Sequence, residues 1–316
     1  MWARGPVRAR RVPAALVALA VSCAMLAGAG PVAAGPVAAD GGDGSGRLVD
    51  IGDGRRVLLD CRGSGSPTVV LVSGAQGASD EWTHVVDAAH PEAGPKPDAS
   101  AVLTTLARST RVCAYDRPGT TRLDGTPNRS TRTPSPTTAA AGVRDLRALL
   151  AAAGEHPPNV LVGASWGAMI ASLFAVTTPA RTAGVVTVDG ASPFLKDTLT
   201  PAQWSAWMDR IRAADQGKGL EAPDYPAAVR EVEGAPAPPR DLPAVVLTSD
   251  HPWDLGVGGG STWPAWLAAQ RRLAGELRAR HVTDTDSGHG IAVEQPQLVA
   301  EAVRGVLDRA RAAQQR

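Results

Sequence analysis

The run Asn159–Ala171, NVLVGASWGAMIA, sets a single hydroxyl between two glycines. Apolar residues lead up to Gly163, Ser165 follows, and apolar residues resume after Trp166 and Gly167. The spacing predicts a buried strand that turns sharply into a helix. Such a turn lifts the serine above the sheet and aims the first helical N–H groups at whatever it attacks. A serine hydroxyl is a weak nucleophile at neutral pH and needs a base. The histidines are His84, His90, His156, His251, His281 and His289, and His289 stands in a glycine-flanked loop, DSGHGIAVEQP, between the last strand and the last helix. A loop there can carry an imidazole over the sheet to Ser165. A carboxylate must then fix the imidazole and support its cation. Asp189 in VVTVDG and Asp250 in AVVLTSD each end a predicted strand between serine and histidine, and Asp254 follows closely. Charge developing on an attacked carbonyl oxygen needs fixed donors. The Trp166 N–H is one, and the loop VSGAQGAS supplies a second from Ala75 or Gln76.

The elements that must position these groups alternate along the chain. RLVDI and RRVLLDC read as a hairpin about Gly52, Asp53 and Gly54. TVVLV, RVCAY, NVLVGA, GVVTVD and AVVLT are short β-branched runs suited to strands buried on both faces, and RHVTDTD is the last strand. Helical spacing is read in SDEWTHVVDAAH, ASAVLTTLARS, AAAGVRDLRALLAAAG, WGAMIASLFAVTT, WPAWLAAQRRLAGELRA and the closing QPQLVAEAVRGVLDRARAA. Strands alternating with helices imply a mostly parallel sheet covered on both faces. Residues 193–241 break the rhythm and are expected to form a small helical lid, with PAQWSAWMDRIRAA its clearest helix. Ligands of such sheets bind beyond the carboxyl ends of the strands, where the candidate groups cluster.

The first 39 residues have the layout of a secretory leader. Arg4, Arg8, Arg10 and Arg11 precede an apolar stretch and then small residues suited to cleavage near Ala39 or Ala34, with Cys23 a weaker site for lipid attachment. The expectation is export, no stable membrane span after cleavage, and one domain over residues 40–316. Two cysteines remain in the mature part, and an even count in an exported chain suggests a disulfide. The net charge of +1, with no basic cluster beyond the leader, speaks against a nucleic-acid surface. No metal-ligand spacing and no nucleotide loop occur, so neither metal nor cofactor is expected.

The segments VVLVSGAQG, VCAYDRPG, VLVGASWGAM, VVTVDG and DSGHGIAVEQP, in that order, resemble the α/β-hydrolase superfamily over nearly the whole mature length. Departures are Ser73-Gly74 in place of the familiar His-Gly, and TTRLDG in place of a glycine–serine continuation after DRPG. The resemblance implies an eight-stranded sheet with Ser165 as nucleophile, His289 as base, and donors near Ala75 and Trp166. It favours Asp189 over Asp250, because the usual place of the acid beyond the later strand falls on Pro252. It also sets Cys61 and Cys113 on neighbouring strands, which implies a disulfide between them. The expected activity is cleavage of an ester or related acyl bond of a small-molecule substrate. The alternatives are an aminopeptidase of the proline-iminopeptidase kind, with Glu221, Asp224 and Glu231 as amine anchors, or a hydrolase-fold protein that binds without turnover. Trp204, Trp207 and Met208 in the lid, with Trp253 and Trp263 beyond it, are candidate pocket walls.

Overall fold

In the computed structural model, which describes residues 46–215 and 219–315, eight strands form one sheet. They are β1 (Arg47–Gly52), β2 (Arg55–Arg62), β3 (Thr68–Val72), β6 (Val112–Tyr115), β7 (Asn159–Ala164), β8 (Thr182–Val188), β9 (Ala244–Leu247) and β10 (Arg280–Val282). Their order is β1-β2-β6-β3-β7-β8-β9-β10. The β1–β2 hairpin joins β6 antiparallel, and all pairings from β6 to β10 are parallel. All six parallel strands therefore end on one side. Ser73, Asp116, Ser165, Asp189 and the loops carrying Asp250 and His289 all leave the sheet there.

Alternation decides which face each side chain serves. On β3, Val70 and Val72 join one apolar cluster while Val69 and Leu71 join the other, so the whole strand is buried. The first cluster takes helices α2 (Ala139–Ala153), α3 (Trp166–Thr177) and α7 (Trp263–Glu276), and the second takes α1 (Val102–Ala107) and α9 (Pro296–Gln314). Thr138 caps α2 by accepting from the Ala141 N–H, and Gly154 ends it in a left-handed conformation. A short helix α8 (Ile291–Glu294) follows the His289 loop. Between β8 and β9 the insertion folds as α4 (Leu195–Thr198), α5 (Pro201–Asp215) and α6 (Tyr225–Glu233). Among the described residues no helix is long and apolar enough to cross a membrane. The leader read over residues 1–39, with Cys23, lies outside the described residues.

One helical reading needs correction. SDEWTHVVDAAH forms only a 3₁₀ turn, Ser79–Trp82, followed by the two-residue strand β4 (His84–Val85), which pairs with β5 (Lys96–Pro97). Trp82 is wholly buried and its indole N–H donates to the Ser73 hydroxyl at 2.9 Å, so tertiary anchoring takes precedence over helix propagation. The β-branched Thr83, Val85 and Val86 act in the same direction.

Cys61 and Cys113 face each other directly across the β2–β6 pairing and form a disulfide. It closes a loop of sequence separation 52, fastening the antiparallel edge hairpin to the parallel core. Replacing both cysteines by serine is expected to lower unfolding stability by roughly 2–4 kcal/mol, read by guanidinium titration under non-reducing conditions. A change below about 1 kcal/mol would show that the sheet edge is held without it.

Candidate active site

Ser165 occupies the junction of β7 and α3 with φ 45° and ψ −119°, a left-handed conformation that costs a non-glycine residue about 1–3 kcal/mol. Its neighbours make the turn possible. A Cβ on Gly167 would overlap the Val72 and Ser73 carbonyl oxygens, and one on Gly163 would overlap the Gly167 carbonyl. Three backbone hydrogen bonds hold Ser165 in place. Its N–H donates to Val188 O at 3.1 Å, and its carbonyl accepts from Ala168 N at 3.0 Å and Ala191 N at 2.9 Å. The bonds to Val188 and Ala191 bracket Asp189, so the β7 and β8 strand ends are locked together. The Trp166 N–H belongs to the unpaired first turn of α3 and has no partner among the described residues.

Asp189 is wholly buried, with φ 39°. Its Oδ2 is 2.7 Å from His289 Nδ1, and its Oδ1 accepts from the Ser249 N–H at 3.1 Å and the Trp266 indole N–H at 3.0 Å. A carboxylate only accepts, so Nδ1 carries the proton and Nε2 is left as the basic nitrogen. The imidazole is walled by Trp253, with ring centroids 4.1 Å apart, and by Trp266 edge-on at 5.5 Å. The Ser165 hydroxyl has no hydrogen bond among the described residues; hydrogen bonds used in catalysis often tighten only around substrate.

The other two aspartates are engaged elsewhere. Asp250 accepts from the Ser287 N–H at 3.0 Å, the Asp286 N–H at 3.1 Å and the Thr285 hydroxyl at 3.3 Å. Burial works against its charge, yet these bonds hold its carboxyl below the ordinary value. Asp250 thus braces the loop leading to His289 rather than the imidazole. Asp254 accepts from the Thr262 N–H and hydroxyl before α7.

The turn after β3 separates its two candidate donors. The Gln76 N–H donates to Glu221 Oε2 at 2.8 Å, so it is not a free donor for substrate. The Ala75 N–H has no partner among the described residues. Gly74 packs against Ser165, since a Cβ built on it would lie 3.3 Å from Ser165 Cβ. Glu81, in the segment whose spacing predicts a helix, folds back into the same turn and accepts from the Gly74 N–H at 3.3 and 3.4 Å. Burial pushes its carboxyl up to about 7, against the pull of Arg117 and the Gly74 and Ser73 hydrogen bonds, with Asp80 adding to the rise.

The acidic residues of the insertion are also committed. Glu221 pairs with Arg117 at 2.7 Å, Asp224 caps α6 by accepting from the Ala227 N–H at 2.9 Å, and Glu231 accepts from the Ala140 N–H at 2.8 Å over the start of α2. Its aromatic residues pack inward. Trp207 lies on Tyr225 at 4.4 Å, Tyr225 stands edge-on to Trp166 at 4.9 Å, and Trp204 meets Trp207 at 5.6 Å. Met208 is buried behind them, and Trp263 opens α7, packing on the same cluster. Gln203 and Arg210 of α5 bond the carbonyls of Gly259, Gly260, Leu255 and Gly256, tying α5 to the loop that carries Trp253.

A mostly parallel sheet of this order, with a strained serine between β7 and α3 and an Asp–His pair from the loops after β8 and β10, defines the class. The family model described as alpha/beta hydrolase fold matches residues 67–226, and the chain belongs to that family. Compared with curated proteins, the chain has no sequence match. Solved structures that it is similar to include a hydrolase from Pseudomonas aeruginosa, at 19% identity and TM-score 0.57, over 84% of this chain and 99% of that one. A thermophilic esterase from Thermogutta terrifontis shares 20% identity at TM-score 0.51, over 84% and 98%. An N-acyl homoserine lactone degrading enzyme shares 17% identity at TM-score 0.55, over 82% and 99%. At these identities the likeness shows the fold.

Glu81 gives a pH signature. The folded state holds its proton more tightly than the unfolded chain, so stability is lost as pH rises from about 4.5 to about 7. Glu81→Gln is expected to stabilise the protein above pH 7 by up to about 3 kcal/mol, with the gain vanishing below pH 4.5. Thermal denaturation across pH 4–8 reads this directly. A variant whose advantage is independent of pH would place the cost of Glu81 in packing instead.

Proposed function

We propose that the protein is an exported serine hydrolase that cleaves an ester or related acyl bond of a small molecule, with Ser165, His289 and Asp189 as its triad. The observation that carries this reading is the 2.7 Å contact between Asp189 and His289 Nδ1, made on the strand ends that hold Ser165. It leaves Nε2 free to take the serine proton.

Ser165 Oγ attacks the acyl carbon as His289 Nε2 removes its proton. The tetrahedral oxyanion forms facing the Ala75 and Trp166 N–H groups. His289 then hands the proton to the leaving oxygen, which departs as the alcohol and leaves acyl-Ser165. Water attacks that ester, giving its proton to His289, and the acid is released as the proton returns to Ser165. Asp189 holds the tautomer throughout and stabilises the transient imidazolium. Its burial, with two further donors on Oδ1, keeps its geometry fixed during turnover.

The aminopeptidase alternative loses its support, because Glu221, Asp224 and Glu231 are each bound to partners of the fold. Export is favoured by the arginine-led apolar start of the chain and by the Cys61–Cys113 disulfide, a bond that persists in oxidising compartments.

Turnover of p-nitrophenyl esters of increasing chain length tests the reading. Ser165→Ala is expected to abolish it, Asp189→Asn to lower kcat by about 10³–10⁴, and Asp250→Asn by less than about tenfold. A larger loss for Asp250→Asn than for Asp189→Asn would return the acid role to Asp250. Ester turnover persisting in Ser165→Ala would end the serine mechanism.

A further inference from the structure

Arg117 and Glu221 form a buried ion pair, with side chains 4% and 2% exposed. A buried charge is costly, and apolar residues of equal volume often serve stability as well. The pair's contacts lead straight to the turn beside the nucleophile. Arg117 Nε and Nη2 donate to Glu221 Oε1 and Oε2 at 2.7 and 2.9 Å. Its remaining donors reach the Ser73 carbonyl at 2.8 Å and the Gly74 carbonyl at 2.6 Å. Glu221 takes the Gln76 N–H at 2.8 Å, and the Gln76 side chain donates back to the Glu221 carbonyl at 3.1 Å. Burial opposes the charge on Arg117, but Glu221 outweighs it and keeps the guanidinium protonated.

The consequence follows from peptide geometry. In a trans peptide the C=O and the N–H point in opposite directions. Fixing the Gly74 carbonyl on Arg117 therefore fixes the Ala75 N–H on the far side of the same plane. The Gly77 N–H, donating to the Gly74 carbonyl at 3.1 Å, closes the turn around it, with Gln76 left-handed at φ 61°. Glu221 comes from the insertion between β8 and β9 and is seated where its N–H meets the Gly119 carbonyl at 2.9 Å. Gly119 lacks a Cβ for that reason, since one would lie 2.8 Å from the Glu221 nitrogen.

We infer that Arg117 and Glu221 are positioning residues for the oxyanion donor at Ala75, so that the insertion between β8 and β9 completes the catalytic turn. The inference rests on the serine-hydrolase reading above. A donor swung out of line weakens the transition state while leaving ground-state binding in place.

The test uses the full mature protein, ester kinetics, and a trifluoromethyl ketone whose hemiketal with a serine places an oxyanion in the same position. Glu221→Gln keeps shape and one acceptor but removes the charge. Arg117→Met/Glu221→Met removes both charges and leaves none unpaired. For both we expect kcat to fall about 30- to 300-fold, KM to stay within about threefold, and the ketone Ki to rise in step with the kcat loss. The double variant is expected to melt near the wild type, separating positioning from stability. Either variant folding with wild-type kcat and Ki overturns the inference, as does a loss confined to KM. If Glu221→Gln alone folds, its kcat and Ki decide. Failure of the underlying reading is distinct, since it shows as ester turnover that survives Ser165→Ala.

Discussion

The Asp189 carboxylate, sealed from solvent at the end of β8, must have both oxygens hydrogen-bonded, and the groups that bond them organise the site. Oδ1 takes the Ser249 N–H and the Trp266 indole, which draws together the end of β9 and the start of the α7 packing. Oδ2 takes His289, which brings in the loop after β10. Val188, just before Asp189, and Ala191, two residues after it, bond Ser165. One buried charge thus draws four segments to a common point, and the proposed chemistry uses that point. Trp253 and Trp266 then flank the imidazole and fix the plane of its ring.

A second buried charge organises the opposite wall. Arg117 spans the turn after β3 and the insertion, and its partner Glu221 arrives from a segment more than a hundred residues away. The aromatic chain Trp207–Tyr225–Trp166 runs beside it and presses the insertion onto the first residue of α3. The insertion therefore packs as part of the wall beside Ser165. The aromatic chain ends on Trp166, which follows Ser165, and the ion pair holds the carbonyl of Gly74, which packs on Ser165.

The parallel core was legible because β-branched runs bounded by glycine and proline admit few other readings, and the serine turn because Gly163 and Gly167 leave room for backbone alone. The disulfide followed once β2 and β6 were neighbours. Other features depended on partners far along the chain. Asp189 and Asp250 look alike in sequence, and only the loop at 285–287 shows Asp250 occupied. Nothing local to Gln76 reveals that its N–H belongs to Glu221. Glu81 was obscured by a helical pattern that the burial of Trp82 overrides, although a buried indole always implies a partner nearby. The insertion acids stand in sequence as candidate amine anchors, whereas in the fold each serves a helix start or a buried cation.

The central claim is that Ser165 is a nucleophile activated by His289, and the most direct measurement is reaction of the mature protein with a fluorophosphonate followed by peptide mapping by mass spectrometry. The account predicts one adduct, on Ser165, formed at least about a hundredfold more slowly when His289 is alanine. A folded protein that takes up no label, or takes it up on another residue, would contradict it.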